Sequence, residues 1–100
     1  MSGRRAVAAA VRQVFGKVLR ESRQERGLSQ ERLAELARLD RTTPSLLERG
    51  LRQPTLSVVI LLGRALEVDP RELVGRVMEA PNLAKVLSPI GKGGSGKPQD

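Results

Sequence analysis

Apolar residues recur at intervals of three and four positions through most of the chain, and this spacing predicts α-helices. The first predicted helix spans about 8–26, and its apolar face consists of Val11, Val14, Phe15, Val18 and Leu19. Gly27 is suited to end this helix, because glycine adopts the left-handed conformation common just after a helix. No segment alternates apolar and polar residues as a half-buried strand would, so we expect an all-α fold.

Four further helices are predicted from residues that favour helix starts. Ser29, Asp40, Thr55 and Asp69 each precede an apolar run, and their side chains are preferred at N-cap positions. The predicted helices cover 30–37, 41–49, 56–66 and 70–79. We therefore expect one compact five-helix domain over 1–80. The pattern fades after residue 81, and the Gly- and Lys-rich end predicts a poorly ordered, flexible tail over 81–100.

The charge of the chain narrows the class of function. Eighteen Lys and Arg against eleven Asp and Glu give a net charge of +7, which favours a polyanionic partner. Residues 1–60 hold twelve of these cations and only six acids. The absence of His and Cys excludes zinc fingers, thiol nucleophiles and imidazole bases, and one aromatic residue is too few to stack single-stranded bases. We expect a binding protein with no enzymatic activity, metal or other cofactor.

The second and third predicted helices are joined by only three residues, 38–40. Such a short connection makes two helices cross steeply and leaves the second one protruding. The major groove of B-DNA, about 12 Å wide, admits one α-helix. The turn alone is equally consistent with an ordinary corner of a helical bundle, but the basic charge around it favours a DNA-binding helix-turn-helix unit over 29–49.

Residues 16–74 resemble the lambda-repressor/Cro type of helix-turn-helix domain, the XRE family. The matching segments are GKVLRESRQERGLSQERLAELA, LDRTTPSLLERGLRQPTL and GRALEVDPRELV. The resemblance implies a lambda-repressor-like fold and a sequence-specific regulator of transcription, of the small repressor or controller type. It also implies a homodimer on a palindromic operator in double-stranded DNA, with half-sites about one helical turn apart and helix 41–49 in the major groove.

The resemblance assigns DNA contacts to particular residues of this chain. The expected base contacts lie at the start of the third helix and are Arg41, Thr42, Thr43, Ser45 and Leu46. Arg41 is able to bond a guanine edge bidentately, whereas Leu46 offers apolar contact to a thymine methyl group. The expected phosphate contacts are Gln30, Arg52 and Gln53. The alternative for Arg41, Thr42, Ser45 and Gln30 is an ordinary surface residue, and the alternative for Leu46 is a core position.

Two further features concern how the third helix is held. The resemblance pairs Glu48 with Arg23 of the first helix, which we interpret as a structural ion pair and not as a catalytic carboxylate. Pro44 stands fourth in the predicted helix 41–49, where it would remove the first intrahelical hydrogen bond. We therefore expect the start of that helix to be loose or tilted.

The remaining expectations concern partners and location. The residues we expect at a dimer interface are Ile60, Leu61, Val77 and Met78, and the alternative is that some of them complete the core. A second functional hypothesis is an antitoxin or adaptor of the same family, whose main role is to bind a protein and whose segment 80–100 folds on it. No run approaches the roughly 20 apolar residues of a membrane span. We therefore expect a cytoplasmic protein that does not act at a membrane.

Overall fold

The computed structural model describes the backbone of residues 2–95 and the side chains of residues 3–88. This part of the chain is built from six helices: α1 (Ser2–Glu25), α2 (Gln30–Ala37), α3 (Thr43–Glu48), α4 (Leu56–Leu66), α5 (Pro70–Glu79) and α6 (Pro81–Ser95). It contains no strand, and the expected all-α class is confirmed. None of these six helices combines the length and apolar character needed to cross a membrane.

Local hydrogen bonds explain why three of the helices begin where the sequence predicts. The Ser29 hydroxyl accepts the backbone N–H of Arg32 at 3.0 Å, and the Thr55 hydroxyl accepts that of Val58 at 3.2 Å. The Asp69 carboxylate accepts the N–H of Arg71 at 2.9 Å. Each cap satisfies a donor that has no partner inside its own helix, so the starts of α2, α4 and α5 are determined locally.

The start of α3 differs from the prediction. Residues 41 and 42 lie in a turn, and the helix spans only Thr43–Glu48 instead of 41–49. Asp40 stabilises that turn, since its carboxylate accepts both the N–H of Thr42 at 3.2 Å and its hydroxyl at 2.6 Å. Pro44 is consequently the second residue of α3, where a backbone N–H would have no intrahelical acceptor. The expected loss of a helical hydrogen bond at Pro44 was wrong.

The core forms around α1, which packs against α3, α5 and α6, while α2 packs against α3 and α4. Its largest fully buried apolar side chains include Leu19, Leu33, Leu47, Leu62, Leu66 and Leu73. Gly16 marks the closest approach of α1 to α3, because a Cβ atom at this position would lie 2.5 Å from the Leu47 carbonyl oxygen. This arrangement fixes α3 against α1 and leaves the turn before α3, residues 41 and 42, at the surface.

The sixth helix corrects the predicted architecture of five helices and a tail. Pro81 opens α6, and Leu83 is buried at 3% exposure, while Val86 and Leu87 pack against the core. These three residues are spaced by three and four positions, as a helix face requires. Their burial depends on α1, so it is not visible in the local sequence. Residues 96–100 of the predicted tail lie outside the described residues.

Candidate nucleic-acid interface

The α2–α3 corner is defined by backbone geometry at its turn. Arg38 ends α2 in the left-handed conformation, at φ 58° and ψ 42°. The N–H of Leu39 then donates to the Ala34 carbonyl oxygen at 2.9 Å, which closes the end of α2. This bond, to a carbonyl group five positions earlier, is the 6→1 hydrogen bond of a Schellman C-cap. The left-handed residue of such a cap is usually glycine, whereas here it is Arg38. The chain therefore passes from α2 to α3 within five residues, 38–42, and α3 packs beside α2.

Four of the five expected base-contacting residues have accessible side chains. Arg41 and Thr42 are exposed in the turn, and Ser45 and Leu46 are half-buried one helical turn later. Thr43 is only 5% exposed. It lies four residues before Leu47 and shares the inner face of α3 with it and Pro44, which corrects the expectation that Thr43 faces the groove.

Arg41 and Thr42 are both held by carboxylates. The Arg41 Nε atom lies 3.0 Å from the Glu31 Oε2 atom, and both side chains are largely exposed. Such an exposed pair contributes little, so a nucleic acid is able to replace Glu31 as the partner of Arg41. Hydrogen bonds from the Thr42 hydroxyl and N–H, with a smaller effect of the Arg52 charge, hold the pKa of Asp40 below its ordinary value.

The three expected phosphate-contacting residues lie at the start of α2 and in the loop that follows α3. The Gln30 Nε2 atom donates to the Glu48 Oε1 atom at 2.9 Å, and the second hydrogen of that amide group is able to donate to another acceptor. Arg52 and Gln53 are exposed in the loop 49–55 between α3 and α4. The Gln53 Oε1 atom accepts from the Arg12 Nη1 atom of α1 at 3.3 Å. Sequence reasoning missed Arg12, because nothing in its local sequence indicates that α1 reaches this loop.

The predicted pair of Arg23 and Glu48 is present. Arg23 donates from Nε to Glu48 Oε2 at 2.6 Å and from Nη2 to Oε1 at 3.0 Å, and from Nη1 to the Leu28 carbonyl oxygen at 2.8 Å. The side chains are only 13% and 4% exposed. The hydrogen bonds with Glu48 raise the pKa of Arg23, and burial opposes this effect. The pair holds the end of α3 against α1.

The expected dimer residues divide between surface and core. Ile60, Leu61 and Met78 are exposed, at 43%, 36% and 56%. Val77 is only 6% exposed, because it follows Leu73 by four positions and shares the inner face of α5; this corrects its assignment to an interface. Leu56 and Val74, which were not among the expected interface residues, are exposed and line a cavity of about 320 Å³ with Ile60.

No group of three or more Asp, Glu, His or Cys residues within the described part of the chain is placed to hold a metal ion. Two helices joined by a tight turn, with exposed residues in that turn and a basic loop after the second helix, define a helix-turn-helix protein. The family model described as "Helix-turn-helix" matches residues 19–73. The chain belongs to this family, of the XRE type, and is a DNA-binding regulator of transcription.

Individual relatives agree with this assignment. The chain is 36% identical over 66 residues to the control protein C.SmaI of Serratia marcescens, covering 66% of this chain and 79% of the relative. The restriction-modification controller protein C.AhdI of Aeromonas hydrophila is 47% identical, with a TM-score of 0.59 over 64% of this chain and 94% of that structure. The clp gene regulator ClgR of Corynebacterium glutamicum is 25% identical, with a TM-score of 0.63 over 67% and 87%.

Proposed function

We propose that the protein controls transcription by binding, as a homodimer, a palindromic operator in double-stranded DNA with the start of α3 in the major groove. The observation that carries this proposal is the accessible cluster of Arg41, Thr42, Ser45 and Leu46 at the α2–α3 corner. The similarity to control and controller proteins supports the small repressor or controller type. The proposed action is binding without catalysis, in the bacterial cytoplasm.

Base recognition in this proposal depends mainly on Arg41. Its guanidinium group exchanges the exposed Glu31 carboxylate for the O6 and N7 atoms of a guanine, which it binds bidentately. Thr42 and Ser45 offer hydroxyl groups, and Leu46 offers apolar contact to a thymine methyl group. Because so few polar groups reach the bases, sequence-dependent DNA shape supplies part of the specificity.

Phosphate contacts on both sides of α3 set its orientation in the groove. Gln30 is the first residue of α2, where unpaired backbone N–H groups and the positive end of the helix dipole favour an anion. Its hydrogen bond to Glu48 fixes the amide group in place beside this helix end. Arg52 and Gln53 bind the backbone from the loop 49–55, on the other side of α3.

The proposed dimer joins two copies through the apolar surface of α4 and α5. Leu56, Ile60 and Val74 line a cavity together with Val59, Pro70 and Arg71, and Met78 is exposed one turn after Val74. Covering these side chains removes apolar area from water, which favours association. A two-fold axis at this surface would present two α3 helices to half-sites about 34 Å apart, one turn of DNA.

Fluorescence anisotropy tests DNA recognition with two labelled duplexes, one from the region upstream of the protein's own gene and one of scrambled sequence, across a salt series. Selective binding that weakens steeply with salt is the expected result. Arg41→Ala should weaken the binding free energy for the operator by about 1–3 kcal/mol and that for the scrambled duplex only slightly. Gln30→Ala should weaken binding to both duplexes alike, and thermal melting checks that this variant stays folded.

Two results would contradict the proposal. Equal losses from Arg41→Ala on both duplexes would remove its base-reading role. Equal and weak binding of the unaltered protein to both duplexes would remove operator recognition altogether, and the antitoxin or adaptor hypothesis would then be tested by searching for a protein partner.

A further inference from the structure

The N-terminal part of α1 carries two arginines in line with the loop 49–55. Arg5 and Arg12 are seven residues apart, so they lie within about 20° of each other around the helix and about 10 Å apart along it. Arg12 contacts this loop directly, through the 3.3 Å hydrogen bond from its Nη1 atom to the Gln53 Oε1 atom. Arg5 is exposed, and it continues the same side of α1 beyond the loop.

The opposite side of α1 is covered by the rest of the protein. Ala10 and Val14 are buried at 8% exposure, and Val7 and Val11 pack against the same core, to which α6 contributes Leu83. At 100° per residue, Ala10 and Val14 both lie about 160° around the helix from Arg12. The helix therefore presents its basic side away from the core, on the side where the loop 49–55 lies.

The charge of this segment has one sign. The first twenty residues contain five Lys and Arg, and the first acidic residue in the chain is Glu21. The residues between Arg5 and Arg12 are Ala6, Val7, Ala8, Ala9, Ala10 and Val11. Ala8 and Ala9 lie on the basic side, about 40° and 60° from Arg12. Such small neighbours let a rod-like polyanion approach both guanidinium groups closely.

We propose that this side of α1 is a second DNA-backbone site, in which Arg12 and Arg5 bind phosphates beyond those reached by Arg52 and Gln53. The inference rests on the proposed function, because it is the DNA-bound loop 49–55 that places Arg12 beside the duplex. The 10 Å between the two arginines along α1 equals about three base-pair steps along the axis of B-DNA, over which each strand carries about three phosphates. The family model begins at residue 19, so both arginines lie outside the segment that it matches.

The test compares two double variants of the full chain that lose the same charge. Arg5→Gln with Arg12→Gln removes the proposed site. Lys17→Gln with Lys85→Gln removes two exposed cations elsewhere, and Lys17 lies in a groove with Val14, Glu79 and Asn82, on the far side of α1. Binding to the operator and scrambled duplexes is measured by anisotropy at several salt concentrations, and circular dichroism confirms that both variants are helical.

The arginine variant should bind both duplexes more weakly. At 0.1 M salt its affinity should fall by on the order of tenfold for each arginine removed from each protomer. The slope of log affinity against log salt should fall by about 0.9 per lost contact. The lysine variant should keep most of its affinity and most of its salt dependence. Hydroxyl-radical footprints should show that the arginine variant loses protection only at the backbone positions furthest from the α3 contacts.

An equal effect of the two double variants, with selective binding by the unaltered protein intact, would overturn this inference and leave the proposed function standing. A selective loss in the arginine variant on both duplexes, without any preference for the operator in the unaltered protein, would support the backbone site and overturn operator recognition. The absence of any salt-sensitive binding to duplex DNA would overturn both.

Discussion

At the scale of single residues, Glu48 connects three helices. Its carboxylate accepts two hydrogen bonds from Arg23 of α1 and one from Gln30 of α2, and it is itself the last residue of α3. Because its side chain is 4% exposed, these donors replace the water that a carboxylate needs. The α2–α3 corner is thus fastened to α1 by polar bonds as well as by apolar packing.

Glu48→Ala should lower the free energy of unfolding by about 3–5 kcal/mol, because it leaves the Arg23 guanidinium group largely buried without its carboxylate. Urea denaturation at neutral pH measures this change. The control is Glu35→Ala, which breaks the exposed ion pair with Arg32 and should cost below about 1 kcal/mol. Similar losses in the two variants would show that the buried pair has no special role.

At the scale of elements, α1 and α3 cross at Gly16. A Cβ atom there would lie 2.5 Å from the carbonyl oxygen of Leu47 and 2.8 Å from that of Glu48. Both atoms belong to the backbone, so a larger residue separates the two helices instead of displacing a flexible side chain. The position of the α2–α3 corner relative to α1 therefore depends on a residue without a side chain.

Gly16→Ala should destabilise the protein by about 1–3 kcal/mol, as insertion of a methyl group into a packed contact does. The control is Gly75→Ala in α5, where a Cβ atom would meet nothing within 4 Å. That change should stabilise the protein by about 0.5–1 kcal/mol, because alanine loses less backbone entropy than glycine in a helix. Thermal unfolding compares the two, and opposite shifts in Tm are expected; a shift of the same sign would refute the close-crossing argument.

The elements also show how far the sequence alone determines the structure. The starts of α2, α4 and α5 were predictable because each cap acts within three residues. The start of α3 was not, since Asp40 also has the features of an N-cap residue but instead stabilises a turn. The burial of Thr43 was predictable because Thr43 lies four residues before Leu47. The burial of Val77 was predictable because Val77 lies four residues after Leu73. Only tertiary contacts reveal the place of α6 and the bond between Arg12 and Gln53.

At the scale of the whole molecule, the exposed apolar surface of α4 and α5 is continuous with the core beneath it. Val59 and Leu73 of these helices are buried. Leu56, Ile60 and Val74 of the same two helices are exposed at the surface. This surface is built by different helices from those that form the proposed DNA contacts. The proposed dimerisation and DNA binding should therefore be separable by mutation.

Ile60→Glu should convert the proposed dimer to a monomer, because burying a carboxylate in the apolar surface between two copies is costly. Sedimentation equilibrium should show at least a tenfold rise in the dimer dissociation constant. Leu51→Glu is the control, since Leu51 is 59% exposed in the loop 49–55 and should leave the dimer intact. A monomeric unaltered protein at micromolar concentration, or no change with Ile60→Glu, would contradict the proposed interface.

Because α6 packs against α1, the core of the protein is completed late in its synthesis. Val14 and Leu83 belong to one core, yet 69 positions separate them in the chain. At synthesis rates of about 5–20 residues per second, roughly 3–14 s pass between their additions to the nascent chain. Throughout that interval the apolar side of α1 lacks its last partner, so the domain completes its core only after the ribosome has made nearly all of it.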